Sequence, residues 1–262
     1  MITIMVNDFI NHVNLFLETK DYINVAIATG STLEPFISCL KDTDAPFEKM
    51  NLYIVDDYAG ISFTDNLSCS IDLYNLFDDK IYSFKSVKCF STDNYVNDLR
   101  IYNEELTKNG LDICVLGVGI DGHVGFCYPP IMKYNKKFYE IIPLSIKRKK
   151  EHVMNGWFHD VVDVPNYVIT LTLWGISCSS CILVGAILED KIKIYKQILS
   201  SGTISMISSI VQSKAVQIFN STSVVTCPFL PILVTEAELI PALAQRSFFF
   251  MSLSISIFQS FL

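Results

Sequence analysis

Val25-Ala26-Ile27-Ala28-Thr29-Gly30-Ser31-Thr32 runs from four apolar residues into a hydroxyl-rich turn, and Leu33–Leu40 then takes up a helical pattern. A short uninterrupted apolar run closed by glycine reads as a strand buried on both faces, because a half-exposed strand alternates. The arrangement recurs along the chain. Leu52-Tyr53-Ile54-Val55 is closed by Asp56-Asp57-Tyr58 and Gly60, and Ile113-Cys114-Val115-Leu116 by Gly117-Val118-Gly119-Ile120-Asp121-Gly122-His123. Tyr167–Leu173 and Cys181–Val184 read as further strands, with Ala215–Phe219 as one more candidate. Ile4–Leu17 places Phe9, Val13, Phe16 and Leu17 at helical spacing. Buried strands separated by helices imply an α/β fold: one domain, a layered sheet of mainly parallel strands with helices on both faces.

Composition narrows what such a domain does. The 262 residues are 50% hydrophobic and only 18% charged, with 20 basic against 27 acidic side chains, so the chain has ample core and a net charge of −7. That balance excludes intrinsic disorder and argues against a nucleic-acid partner. The most apolar stretches, Ile176–Leu188 and Phe248–Leu262, are interrupted by Ser or Cys and fall short of a membrane span, so no membrane partner is expected. Met1–Met5 lacks the basic flank of a signal peptide, and eight scattered cysteines read as reduced, packed thiols, which together point to the cytoplasm.

In open parallel sheets, ligands bind outside the carboxyl ends of the strands. Three polar clusters sit at such ends. Thr29-Gly30-Ser31-Thr32 opens a helix, so free N–H groups and hydroxyls could hold an anion there; the ordinary alternative is a plain helix cap. Asp56 and Asp57 are adjacent, so at most one points into a shared site, where burial would suit it as a general base. Asp121 and His123 flank Gly122, so one turn can present a carboxylate beside an imidazole, a proton shuttle near neutral pH. The glycines of Gly117–His123 do not form a dinucleotide fingerprint, since His123 replaces the third glycine and Pro129-Pro130 follow too soon for a helix.

Other features carry less chemistry. Lys133, Lys136, Lys137, Lys147, Arg148, Lys149 and Lys150 crowd one stretch, either as a solvated face or as a positive rim for an anionic substrate. Cys178 and Cys181 have redox spacing but lead into an apolar strand, which favours buried thiols. His152 and His159 match no metal signature, and neither a metal nor another cofactor is expected. The segment 227–262 differs from the body at 1–226: it is apolar, punctuated by proline, and has no assigned role.

In order and spacing, Ala28–Thr32, Val55-Asp56-Asp57-Tyr58-Ala59-Gly60 and Leu116–Phe126 resemble the glucosamine-6-phosphate deaminase/isomerase family, as do Asn75–Asp78 and Asp163–Tyr167. The related 6-phosphogluconolactonases share the Asp-Gly-His turn. The likeness extends from about Val25 to about Phe219. It implies a single α/β domain, Rossmann-like in layering, and an amino-sugar phosphate isomerase that releases ammonia and gives fructose 6-phosphate without a cofactor. By that resemblance, His123 opens the sugar ring, Asp121 supports it, and Asp56 moves a proton from C2 to C1. Thr29, Gly30, Ser31, Thr32 and Gly119 then line the phosphate end, and Lys191 is the nearest match to a phosphate-binding lysine.

The sequence also departs from the pattern. Tyr128 stands where the deaminases carry a glutamate, and no arginine occurs around Asn155-Gly156-Trp157, leaving Arg148 or its lysine neighbours as substitutes. Lactone hydrolysis, with His123 activating water, is the alternative activity; a catalytically weak sugar-phosphate binder is another. The implied partner is a small-molecule sugar 6-phosphate, and assembly into a homo-oligomer is left open.

Overall fold

The computed structural model describes residues 2–62, 65–119, 121–128, 136–186, 216–220 and 224–227. In chain order the elements are α1 (Ile2–Leu17), β1 (Ile23–Ile27), α2 (Glu34–Lys41), β2 (Met50–Ile54), β3 (Asp56–Tyr58), α3 (Cys69–Phe77), β4 (Ser86–Lys88) and α4 (Tyr95–Asn109). They continue with β5 (Ile113–Gly117), β6 (Tyr139–Pro143), α5 (Ile146–Met154), β7 (Tyr167–Leu171), α6 (Leu173–Cys178), β8 (Cys181–Ala186), β9 (Val216–Asn220) and β10 (Val224–Cys227).

The main sheet has the order β10-β9-β8-β5-β1-β2-β4, parallel throughout except for β10, which runs antiparallel to β9. This is the layered α/β fold that the alternation of apolar strands and helices implies. All five residues of β1 are buried, as a central strand covered on both faces requires. On one face α1 buries Met5, Val6, Phe9 and Val13, and Phe9 meets Phe36 of α2 edge-on at 5.7 Å. At the starting edge of the strands, Asn51 Nδ2 donates to Asn24 Oδ1 at 3.0 Å and Ser86 Oγ donates to Asn51 Oδ1 at 2.7 Å. Those residues are register partners, so a slip of β1, β2 or β4 would strand buried amides; the polar ladder fixes the alignment.

A second sheet was not foreseen in the sequence. After β2 the chain leaves the parallel sheet at Val55 and enters β3, which pairs antiparallel with β7, and β7 pairs antiparallel with β6. The strand read at Tyr167–Leu173 therefore belongs to this sheet, not to the parallel one. Leu171 N–H donates to Val55 O at 2.7 Å and Tyr139 Oη donates to Ile54 O at 2.5 Å, which fastens the small sheet to the end of β2. Asp56-Asp57-Tyr58, which closes the apolar run in the sequence, is β3 itself; Asp57 is held by Ser68 and Ser70, and Tyr58 by His152 from much later in the sequence.

Candidate active site

Sheet order brings the three polar clusters together, because β1 lies between β5 and β2 and all three run parallel. Their carboxyl ends open side by side. Gly117, ending β5, is so close to the 29–32 turn that a Cβ there would lie 3.2 Å from Thr32 Cβ. Thr29 in turn lies near the thiol of Cys69, the first residue of α3, which also feels Asp56 and Asp57. The phosphate-loop candidates therefore adjoin the acidic pair.

The two aspartates have separate jobs. Asp57, 1% exposed, accepts from Tyr58 N (2.8 Å), Cys69 N (3.0 Å), Ser68 Oγ (2.9 Å), Ser70 N (2.9 Å) and Ser70 Oγ (2.5 Å). It anchors the first turn of α3, where unpaired N–H groups and the helix dipole favour an anion. Asp56, 7% exposed, faces the other way, as strand alternation demands, and no hydrogen bond to its carboxylate occurs among the described residues. Burial, with the Asp57 charge beside it, pushes the Asp56 carboxyl up to about 7. Gly125 makes room for it: a Cβ there would lie 3.2 Å from Asp56 Oδ2 and 3.0 Å from Thr170 Oγ1, and its φ of +54° is itself poorly tolerated by other residues.

β7 carries the histidine turn to this carboxylate. Thr170 is the register partner of Asp56, and its Oγ1 accepts from Phe126 N at 3.2 Å, while Cys127 Sγ donates to Leu171 O at 3.4 Å. Within the turn, Gly119 N–H donates to His123 O at 2.9 Å. A Cβ on Gly119 would fall inside the His123 ring, so the packing of the imidazole requires glycine at that position. His123 Nδ1 is bonded to Asp121 Oδ1, leaving Nε2 without a protein partner among the described residues. Asp121 Oδ2 meets Arg148 Nη1 at 2.7 Å. The hydrogen bond from His123, with Arg148 adding, holds the Asp121 carboxyl well below the usual range, so it stays an anion that orients the ring.

Tyr128 completes the group. Its ring lies 4.9 Å from that of His123, the Arg148 guanidinium sits 4.0 Å above it, and its hydroxyl meets His152 Nε2 at 3.2 Å. Arg148 is thus committed to Asp121, Tyr128 and Glu151, and Lys149 is buried with its Nζ donating to Val164 O and Asn166 Oδ1. The basic stretch is therefore not a uniform solvated face: Lys147 and Lys150 are exposed on α5, but Arg148, Lys149 and His152 turn inward. Arg148, expected as a substitute for the missing arginine, is held instead by Asp121, Glu151 and the Tyr128 ring, and His152 had no assigned role. Their i, i+4 spacing on one helix was the available signal, since it puts both on one face. Lys191 and residues 228–262 lie outside the described residues, as does Ile120. Among the described residues there is no group of His, Cys, Asp or Glu able to hold a metal ion, and no helix long and apolar enough to cross a membrane.

A buried carboxylate beside a carboxylate-backed imidazole, at the carboxyl ends of parallel strands, is the equipment of an acid–base enzyme on an α/β scaffold. Comparison with known proteins gives the class a family. The family of glucosamine-6-phosphate isomerases/6-phosphogluconolactonase matches residues 1–219, and the chain belongs to it. Glucosamine-6-phosphate deaminase of Lysinibacillus sphaericus is 25% identical over 177 residues, covering 67% of this chain and 78% of that protein. The deaminase of Clostridium botulinum (strain Eklund 17B / Type B) is 27% identical over 202 residues, covering 72% and 78%. Among solved structures, a monomeric glucosamine-6-phosphate deaminase aligns with TM-score 0.69 at 19% identity, over 84% of this chain and 92% of its own. The 6-phosphogluconolactonase of Thermotoga maritima aligns with TM-score 0.65 at 18% identity, over 84% and 94%. These structures share the fold; family membership supports an enzyme of carbohydrate metabolism, a deaminase or a lactonase.

Proposed function

We propose that the protein is a glucosamine-6-phosphate deaminase-like enzyme of the cytoplasm, its catalytic domain spanning residues 1–226, that converts an amino-sugar 6-phosphate to fructose 6-phosphate and ammonia. His123, oriented by Asp121, serves the ring oxygen when the pyranose opens. Asp56 removes the C2 proton of the open chain and returns it to C1; the C2 imine that results adds water and releases ammonia. Thr29, Gly30, Ser31, Thr32 and Gly119, with Lys191, hold the phosphate, and no cofactor is required. The partner is this small molecule alone, neither a nucleic acid nor a membrane, and assembly of like copies is compatible with the reading.

The observation that carries it is Asp56. A carboxylate with no hydrogen-bond partner among the described residues, pushed up to about 7 by burial, is matched to taking and returning a carbon-bound proton near neutral pH. Lactone hydrolysis has no carbon-bound proton to move and needs only an activated water. Tyr128 favours that second reading, in which the free Nε2 of His123 activates the water, because no carboxylate stands at the position where the deaminases have one.

Ammonia release from glucosamine 6-phosphate, measured beside hydrolysis of 6-phosphogluconolactone, separates the two. His123→Ala is expected to abolish turnover while retaining much of the affinity for the phosphate, since the 29–32 turn is untouched. Wild-type rates in His123→Ala would overturn the assignment, and saturable binding without turnover of either substrate would leave a sugar-phosphate binder.

A further inference from the structure

The acid–base assignment leaves three linked side chains unused. Tyr58 on β3, His152 on α5 and Tyr128 form a continuous chain: Tyr58 Oη lies 2.9 Å from His152 Nδ1, and Tyr128 Oη lies 3.2 Å from His152 Nε2. Tyr58 is 4% and His152 2% exposed. Phe126 and Phe158 pack on the Tyr58 ring at 5.2 and 5.3 Å, and His152 is the one hydrogen-bond partner of its buried hydroxyl among the described residues.

That enclosure sets the direction of every proton in the chain. Burial lowers His152 to about 4, so the imidazole is neutral at physiological pH, with one nitrogen donating and the other accepting. If Tyr58 accepted from Nδ1–H, its own O–H would be buried with no acceptor among the described residues, and a hydrogen bond would be lost. Tyr58 therefore donates to Nδ1, and the ring proton resides on Nε2. From there it is donated to Tyr128 Oη. The Tyr128 hydrogen cannot also be given to His152, and it is left for another acceptor, with the ring of His123 packed 4.9 Å from that of the phenol. Burial also raises Tyr128 well above an ordinary phenol, so it does not surrender that proton as an acid; it offers a hydrogen bond.

We propose that Tyr128 is a catalytic hydrogen-bond donor to the substrate oxygen on which negative charge develops, and that His152 and Tyr58 are positioning residues that point its O–H into the site. The inference rests on the reading of this pocket as a sugar-phosphate site and deepens it. The oxygen served is the ring oxygen in amino-sugar opening or the carbonyl oxygen in lactone hydrolysis. In either reaction the donor stabilises the charge without transferring its proton, which is the role of a preorganised oxyanion donor. Tyr128 thereby replaces a carboxylate with a neutral group that only donates, and it leaves proton transfer to His123.

Three variants and one spectrum test this, using glucosamine 6-phosphate and 6-phosphogluconolactone as probes. Tyr128→Phe is expected to lower kcat about 100-fold on the substrate that turns over, with KM little changed. His152→Leu is expected to lower kcat roughly tenfold or more, and His152→Gln to recover most of that loss, since an amide can accept from Tyr58 and donate to Tyr128. A merely structural histidine would not be rescued by glutamine in kcat. Tyr58→Phe frees the tautomer and is expected to lower kcat several-fold. Nitrogen NMR of the unaltered protein should find His152 neutral with its proton on Nε2. A proton on Nδ1, or an undiminished kcat in Tyr128→Phe, overturns the proposal. If the unaltered protein turns over neither substrate, the proposed activity fails, and the tautomer still decides whether Tyr128 is a donor into the pocket.

Discussion

Asp56→Asn should cost the enzyme its activity and make the fold more stable, increasingly so as the pH rises. Below an unfolded-state value of 3.8 the carboxyl is neutral in both states and contributes no penalty. Between 3.8 and about 7 the unfolded chain ionises while the folded chain retains its proton, so the folded state loses stability as the pH increases. Above about 7 the folded state carries a buried charge beside that of Asp57 and the full penalty, about 4 kcal/mol, applies. Between pH 5 and pH 8 the change is about 3 kcal/mol. In a chain of this size that corresponds to roughly 6–12 °C in Tm. Asparagine does not ionise, and any cost of its buried amide is the same at both pH values. The measurement is thermal unfolding of both proteins at pH 5 and pH 8, taking the difference variant minus wild type at each. That difference should grow by several degrees at the higher pH. A constant difference, or one that shrinks, would refute the claim that Asp56 is held uncomfortably for catalysis. Where turnover is measurable, its rate should also rise with pH through about 7, as the base loses its proton.

Other substitutions probe the neighbours. Gly119→Ala should drive the His123 ring from its place and lower kcat at least 100-fold, while Tm stays within about 2 °C because the displaced ring is half-exposed; parallel kinetics and melting check it. Asp57→Ala leaves the Ser68 and Ser70 hydroxyls and the first turn of α3 without their acceptor, and should lower stability by roughly 3–5 kcal/mol in urea titration. Arg148→Met should lower turnover about tenfold by releasing Asp121, and Arg148→Lys should restore little of it, since an ammonium cannot both bridge Asp121 and Glu151 and stack on Tyr128.

The parallel layering was legible in the chain because each strand declares itself locally. Runs such as Val25–Ala28 and Ile113–Leu116 are apolar throughout, and only a strand covered on both faces uses such a run. That Asp56 and Asp57 point opposite ways was legible too, as alternation forces adjacent side chains apart, although which of them is anchored was settled by Ser68 and Ser70. The turn from Gly117 to His123 announced a carboxylate beside an imidazole through residue types two apart, and Asp121 does bond His123 Nδ1.

What tertiary structure decided is everything that depends on partners distant in sequence. β3 and β7 pair through Asp56 and Thr170, and no local pattern in a three-residue acidic strand specifies that neighbour. The same pairing carries Gly125 against Asp56. Lys147 to Lys150 read as one cationic run, yet helical geometry sends Arg148 to Asp121 and Lys149 to Val164 while their neighbours remain in water. His152 had no motif to mark it. Its chemistry comes from burial against Tyr58 and Tyr128, and burial is set by the packing of whole elements, which the spacing of residues along one of them does not contain.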